Sequence, residues 1–141
     1  MPRATGSRCT SGRRPRSPRR SSPPASLAET LVATGFGYTA ERRRQQVAVL
    51  AGLIGEVRDI RRGGAASLDC CAVGVGTVDA YYERGINPWD MAAGSIVARE
   101  AGAETRIWEA GGTRSFLFAA PAVADELADL LRRLEESALA G

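Results

Sequence analysis

Residues 79–102, DAYYERGINPWDMAAGSIVAREAG, oblige the chain to pass from strand to helix across a few residues. Ala80-Tyr81-Tyr82-Glu83 has the aromatic character of a strand. Arg84-Gly85-Ile86 closes it, and Gly85 is free to take the positive φ that L side chains avoid. Asn87 then stands where an N-cap belongs. Pro88 follows at the first helical position, where a missing N–H costs nothing. Trp89, Ala92, Ala93, Ile96 and Val97 recur at helical spacing and predict one buried apolar stripe. Gly102 ends the helix. Asp90 therefore falls in a first helical turn, on the rim where a strand gives way to a helix.

The rest of the chain repeats this alternation. Thr30 to Phe36 reads as a buried strand, broken by Gly35 and Gly37. A helix is expected over 40–57, with Val47, Leu50, Ala51, Ile54 and Val57 on its buried face and Arg42-Arg43-Arg44 on a solvated one, a phosphate contact being the alternative. A short strand over 59–62 leads to the turn Gly63-Gly64 and a small-residue helix over 65–78, whose Ala, Gly and Cys allow close approach. Segments 104–109 and 114–119 alternate in polarity around Gly111-Gly112-Thr113, predicting a hairpin at a sheet edge. The last helix begins at Pro121 and buries Val123, Leu127, Leu130, Leu131 and Leu134. Strands alternating with helices, then a hairpin and a helix, define an α/β fold: a layered sandwich of helices on a mixed sheet, one domain over 27–141. Ligands in such sheets bind at the carboxyl ends of strands, where the turn carrying Glu83 and Asp90 belongs.

Residues 1–26 are different text. They hold seven Arg, no acid and little to bury, so a disordered Arg/Pro/Ser-rich tail is expected. The remaining chain has 12 Arg against 16 acids, which argues against nucleic acid as a partner except through that tail. No apolar run nears the ~20 residues of a membrane span, and adjacent Cys70 and Cys71 suit reduced thiols in a cytoplasmic protein better than disulfides. The chain contains no His. That removes His-based nucleophile pairs and the usual zinc sets, leaving oxygen ligands and a hard cation such as magnesium, manganese or calcium for any metal site.

Two readings of Asp90 stand side by side. It closes a capping box with Asn87 and complements the helix dipole, or it holds a hard cation against a phosphate at the helix start. Gly63-Gly64 is likewise a plain turn or an anion cradle. Asp69 is expected to pair with Arg61 or Arg62 as support.

The segment WDMAAGSIVAREAGA resembles the inositol monophosphatase motif W-D-x-A-A-G-x-x-I-x-x-E-A-G-G. Upstream, DIRRGGAASLDCCAVGVGTVDAYYERGINPWD is similar to the family's R-x-x-G-S-A-A-L-D-x-C-x-V-A-x-G-x-x-D-A-Y-x-E run. The likeness covers the carboxyl-terminal half of the family, from about Leu27 onward. It implies a magnesium-dependent phosphomonoesterase acting on inositol monophosphate or a related sugar or polyol phosphate. In that chemistry the metals activate a water and stabilise charge on the phosphate. By this resemblance Asp90 matches a metal-ligand Asp, and Glu83 matches the acid that hydrogen-bonds substrate hydroxyls. Gly64, Ala65 and Ala66 line the sugar side through their backbone, and Trp89 packs behind Asp90.

The sequence departs from the family in two places. Gly64-Ala65-Ala66-Ser67 moves the hydroxyl of G-S-A-A two positions on. The amino-terminal Glu ligand and D-P-x-D-G-T motif do not occur. Since magnesium ordinarily needs two or more anionic groups, a truncated or frame-shifted product with weak or no turnover alone is expected. Two other readings remain: a non-catalytic interaction protein (a homodimer among its forms) using the surface exposed by the missing half, and a nucleic-acid binder using the Arg tail.

Overall fold

The computed structural model describes residues 22–141; the tail expected over 1–26 lies outside them up to residue 21. Of residues 22–26, Pro24 is buried, and the Ala25 N–H donates to Glu29 Oε2 at 3.0 Å. Five strands follow, β1 (Leu31–Thr34), β2 (Asp59–Arg61), β3 (Ala80–Arg84), β4 (Glu104–Ala110) and β5 (Thr113–Ala119). The helices are α1 (Ala40–Leu53), α2 (Ala66–Val75), α3 (Pro88–Glu100) and α4 (Ala124–Ala140). The sheet order is β2-β1-β3-β5-β4. β1 lies parallel to β2 and β3, while β5 runs antiparallel to β3 and forms a hairpin with the edge strand β4. Gly111 and Gly112 make the hairpin turn at φ 54° and 68°.

Helices cover both faces, so strand alternation sorts residues into two cores. Val32, Tyr82 and Leu117 face Val49 and Leu53 of α1 and Leu127 and Leu131 of α4. Ala33, Tyr81, Phe116 and Phe118 face Cys70 and Val73 of α2 and Met91 and Ala98 of α3. The α/β sandwich on a mixed sheet is thus what the alternation of elements implied.

Two helical stripes differ from expectation. On α1 the buried residues are Gln46, Val49 and Leu53, whereas Val47 and Ile54 are exposed and Val57 is buried beyond the helix. The sequence offers two apolar faces here, and the sheet takes the one containing Gln46. The Gln46 side chain is satisfied by accepting from Gly37 N–H (2.8 Å) and donating to Arg84 O (3.1 Å). On α3 the buried positions are Met91, Gly94 and Ala98. The expected stripe faces outward instead, and Trp89 is 75% exposed rather than packed behind Asp90. The reason is the contact with α2: a Cβ on Gly94 would stand 2.2 Å from Ser67 O, so the small residue, not the large ones, marks the side where the helices meet.

Candidate functional site

The crossover helices α1 and α2 lie on opposite faces of the sheet, so the chain leaves a cleft at the carboxyl ends of the parallel strands. It encloses about 380 Å³. One wall is the segment after β1, which includes Gly35 and Gly37. A second is the turn Gly64 with Ala65 and Ala66 at the start of α2, and a third is the β3–α3 connection. Glu83, Gly64, Ala65, Ala66 and Asp90, singled out in the sequence, all line this one cleft, together with Asp69, Arg42 and Arg62.

Glu83 reaches the cleft by the pleat. It lies two residues after Tyr81 on the face of β3 turned toward α2, and the Tyr81 hydroxyl donates to Glu83 Oε2 at 2.5 Å. Tyr81 is fully buried, so the carboxylate is anchored from below. Burial pushes the Glu83 carboxyl above its ordinary range; the Tyr81 hydrogen bond opposes this, and Asp69 and Asp90 add to it. Gly35 leaves the room: a Cβ there would lie 2.0 Å from Glu83 Oε2. Gly85 has φ 77°, as the turn demanded, and its carbonyl accepts from Arg42 Nη1 at 3.1 Å.

Asp90 is exposed at the rim, in the first turn of α3. The expected capping box does not form. Asn87 holds the N-cap position with no side-chain cap bond, and its Nδ2 instead reaches Asp90 Oδ2 at 3.4 Å. Asp69 does not pair with Arg61, which pairs with Asp59. Its carboxyl, raised by burial and lowered by the Gly64 backbone and then by Arg62, secures the turn from within. Gly64 stands at φ 93°, and any Cβ on Gly63 would meet Asp69 Oδ1 at 2.2 Å. The displaced hydroxyl of Ser67 accepts the Gly94 N–H at 3.2 Å, a helix–helix contact. The start of α2, at Ala65, also lacks a side-chain cap bond.

Sequence reasoning missed Gly35, Tyr81 and Gln46 as supports of the cleft, and it gave Arg42 a phosphate contact only as the alternative to a solvated face. The glycines around Phe36 were the available signal for the first. The others depend on pairing between β1 and β3, which no local pattern reveals.

Three acids line the cleft, yet among the described residues no three His, Cys, Asp or Glu side chains are gathered so as to hold a metal ion. Asp90 and Glu83 alone do not fit a closed magnesium shell.

A cleft at the strand ends of an α/β sheet, with acids, arginines and two helix starts, is an architecture in which anionic ligands can bind. The chain belongs to the inositol monophosphatase family, whose model matches residues 3–137. It is 46% identical over 110 residues to the Inositol-1-monophosphatase SuhB of Mycobacterium tuberculosis, covering 76% of this chain and 38% of that relative. The solved structure of Mycobacterium tuberculosis SuhB superposes with a TM-score of 0.73 at 43% identity, covering 82% of this chain and 46% of that one. A relative from Pasteurella multocida, 46% identical over 77 residues (54% of this chain, 29% of the relative), is named Nus factor SuhB. The chain thus spans less than half the length of these relatives. The family is generally metal-dependent.

Proposed function

We propose that the cleft is the polyol-binding part of an inositol monophosphatase-type site, built to hold inositol monophosphate or a related sugar phosphate. Glu83 accepts hydrogen bonds from substrate hydroxyls. The backbone of Gly64, Ala65 and Ala66 follows the ring, and Asp90 presents the one carboxylate that faces the family's magnesium. The observation that carries this reading is the meeting of Gly64–Ala66, Glu83 and Asp90, three separate stretches of chain, in one cleft. Tyr81 holds the Glu83 carboxylate in place, and the uncapped starts of α2 and α3 favour the anionic end of a ligand.

Because the described acids do not close a metal shell, no hydrolytic step is assigned to residues 27–141 alone, and the setting is read as cytoplasmic. The expected outcome is measurable binding of inositol 1-phosphate by calorimetry, weakened by Glu83→Gln, with phosphate release in magnesium near background. Brisk turnover that Asp90→Asn abolishes would show that the chain suffices by itself. Absence of binding would overturn the cleft assignment.

A further inference from the structure

Gln46 is 4% exposed and shares the buried stripe of α1 with Val49 and Leu53, where an apolar side chain would need no hydrogen-bond partner. Its own partners are all main-chain groups beside the cleft. Oε1 accepts the Gly37 N–H at 2.8 Å, while Nε2 donates to Arg84 O at 3.1 Å and, more weakly, to Gly35 O at 3.5 Å. These groups lie just past Thr34 and Tyr82, the last residues paired between β1 and β3, where the two strands separate and the cleft begins. A side-chain amide has one donor and one acceptor end, as a peptide group has, and here it spans the gap beyond the ladder. The segment that it holds is confined on both sides. A Cβ on Gly35 would collide with the Glu83 carboxylate, and one on Gly37 with the stem of Arg42. The Arg42 guanidinium in turn donates to Gly85 O at 3.1 Å. A displacement of Gly35–Gly37 therefore reaches Glu83 directly, and the β3–α3 turn through Arg42.

We infer that Gln46 is a positioning residue of the cleft: its amide sets the distance between the Gly35–Gly37 wall and the end of β3, and so fixes where the Glu83 carboxylate meets the hydroxyls of a polyol. The consequence for ligand binding rests on the proposed function, whereas the hold on Glu83 does not. Among the described residues the carboxylate has one hydrogen bond, from the Tyr81 hydroxyl at 2.5 Å. The last torsion of a Glu side chain is broad, so one bond does not fix the rotation of the carboxylate. The Gly35 main chain against which it lies completes the restraint, and Gln46 keeps that main chain in place. An apolar residue at position 46 would leave the buried stripe intact and remove this hold.

The test uses the full 141-residue chain and three substitutions. Gln46→Met keeps the length and removes the hydrogen bonds. Gln46→Asn keeps the amide, shortens its reach, and takes the place of Gln46→Met if that variant does not fold. Val49→Ala loosens the same buried stripe without touching the clamp. Inositol 1-phosphate calorimetry, carbon-13 titration of the Glu83 carboxyl and urea unfolding supply the readouts. Gln46→Met should weaken binding about tenfold, as for a charged acceptor that loses its orientation, and Val49→Ala should leave it unchanged at a similar cost in urea. Made together with Glu83→Ala, Gln46→Met should cost less than about a further twofold, because its effect passes through Glu83. The Glu83 midpoint should fall toward the ordinary carboxyl range in Gln46→Met, as water reaches the group, and hold in Val49→Ala. An equal loss of binding with and without Glu83 overturns the inference, since it marks a general loosening. So does a Glu83 midpoint that Gln46→Met leaves in place. If the unsubstituted chain binds no inositol 1-phosphate, the proposed function falls by itself, and the Glu83 midpoint alone decides the positioning.

Discussion

Glu135 of α4 supports the site acid from the opposite side of the sheet, and its removal should nearly unfold the protein. It is 1% exposed and accepts four hydrogen bonds. The donors are Tyr82 Oη at 2.5 Å, Ser115 Oγ at 2.5 Å, Trp108 Nε1 at 2.9 Å and Arg84 Nη1 at 3.2 Å. Tyr82 and Arg84 flank Glu83 on β3 and point the other way, so this knot fixes the strand end from which Glu83 projects. Arg84 is 3% exposed, and its guanidinium also donates to the carbonyls of Ala110 (2.7 Å) and Thr113 (3.4 Å). Glu135→Ala strands a buried guanidinium, a loss of ~3–5 kcal/mol. It also deprives three neutral donors of their acceptor, each worth ~1 kcal/mol or more unless water enters the space. Against a total stability of ~5–15 kcal/mol for a domain, the variant should be marginal. Urea unfolding followed by circular dichroism measures the loss. Pairing Glu135→Leu with Arg84→Met removes the stranded charge and should recover at least half of it, since apolar replacement of a buried ion pair is often close to neutral. A loss below ~1 kcal/mol for Glu135→Ala, or a double variant worse than the single one, would refute the view that Arg84 depends on Glu135.

Three further outcomes follow from the cleft. Gly35→Ala puts a methyl 2.0 Å from Glu83 Oε2; displacement of that carboxylate should abolish inositol 1-phosphate binding in calorimetry, at a stability cost of ~1–3 kcal/mol in urea. Because the folded Glu83 carboxyl is raised above its ordinary 4.5, the folded state holds its proton longer than the unfolded chain. Its ionisation therefore lowers stability as pH rises from about that value, so Glu83→Gln should be the more stable protein at pH 7, with the difference shrinking at pH 4 in thermal melts. Burial pushes the Cys70 thiol up to about 12, so at pH 8 a maleimide should label the half-buried Cys71 and spare Cys70 by mass spectrometry until the protein unfolds.

The local text located the residues of the cleft more fully than it located the packing. Gly85, Pro88 and Gly102 act through their own backbones, so the β3–α3 handover was readable from single residues and formed where expected, with Gly85 at φ 77° and Gly102 at φ 95°. Glu135 was illegible: an acid in a helix reads as solvated unless four donors from β3, β4 and β5 are known to surround it. Asp69 was unreadable as a partner of the Gly64 backbone, because the turn has to close before that carboxyl can reach it.

Trp89, Ile96 and Val97 separate two statements that helical periodicity merges. Spacing shows that such residues share a face; it is silent on what lies against that face. On α3 two apolar faces compete, a large-residue one with Trp89, Ile96 and Val97 and a small-residue one with Met91, Gly94 and Ala98. The sheet-side layer takes the second, because α2 approaches so closely that Gly94 has no space for a methyl beside Ser67 O. Closeness of approach, not hydrophobic mass, therefore decides which face turns inward. The large residues are left on the outward face, where Trp89 stands beside Asp90.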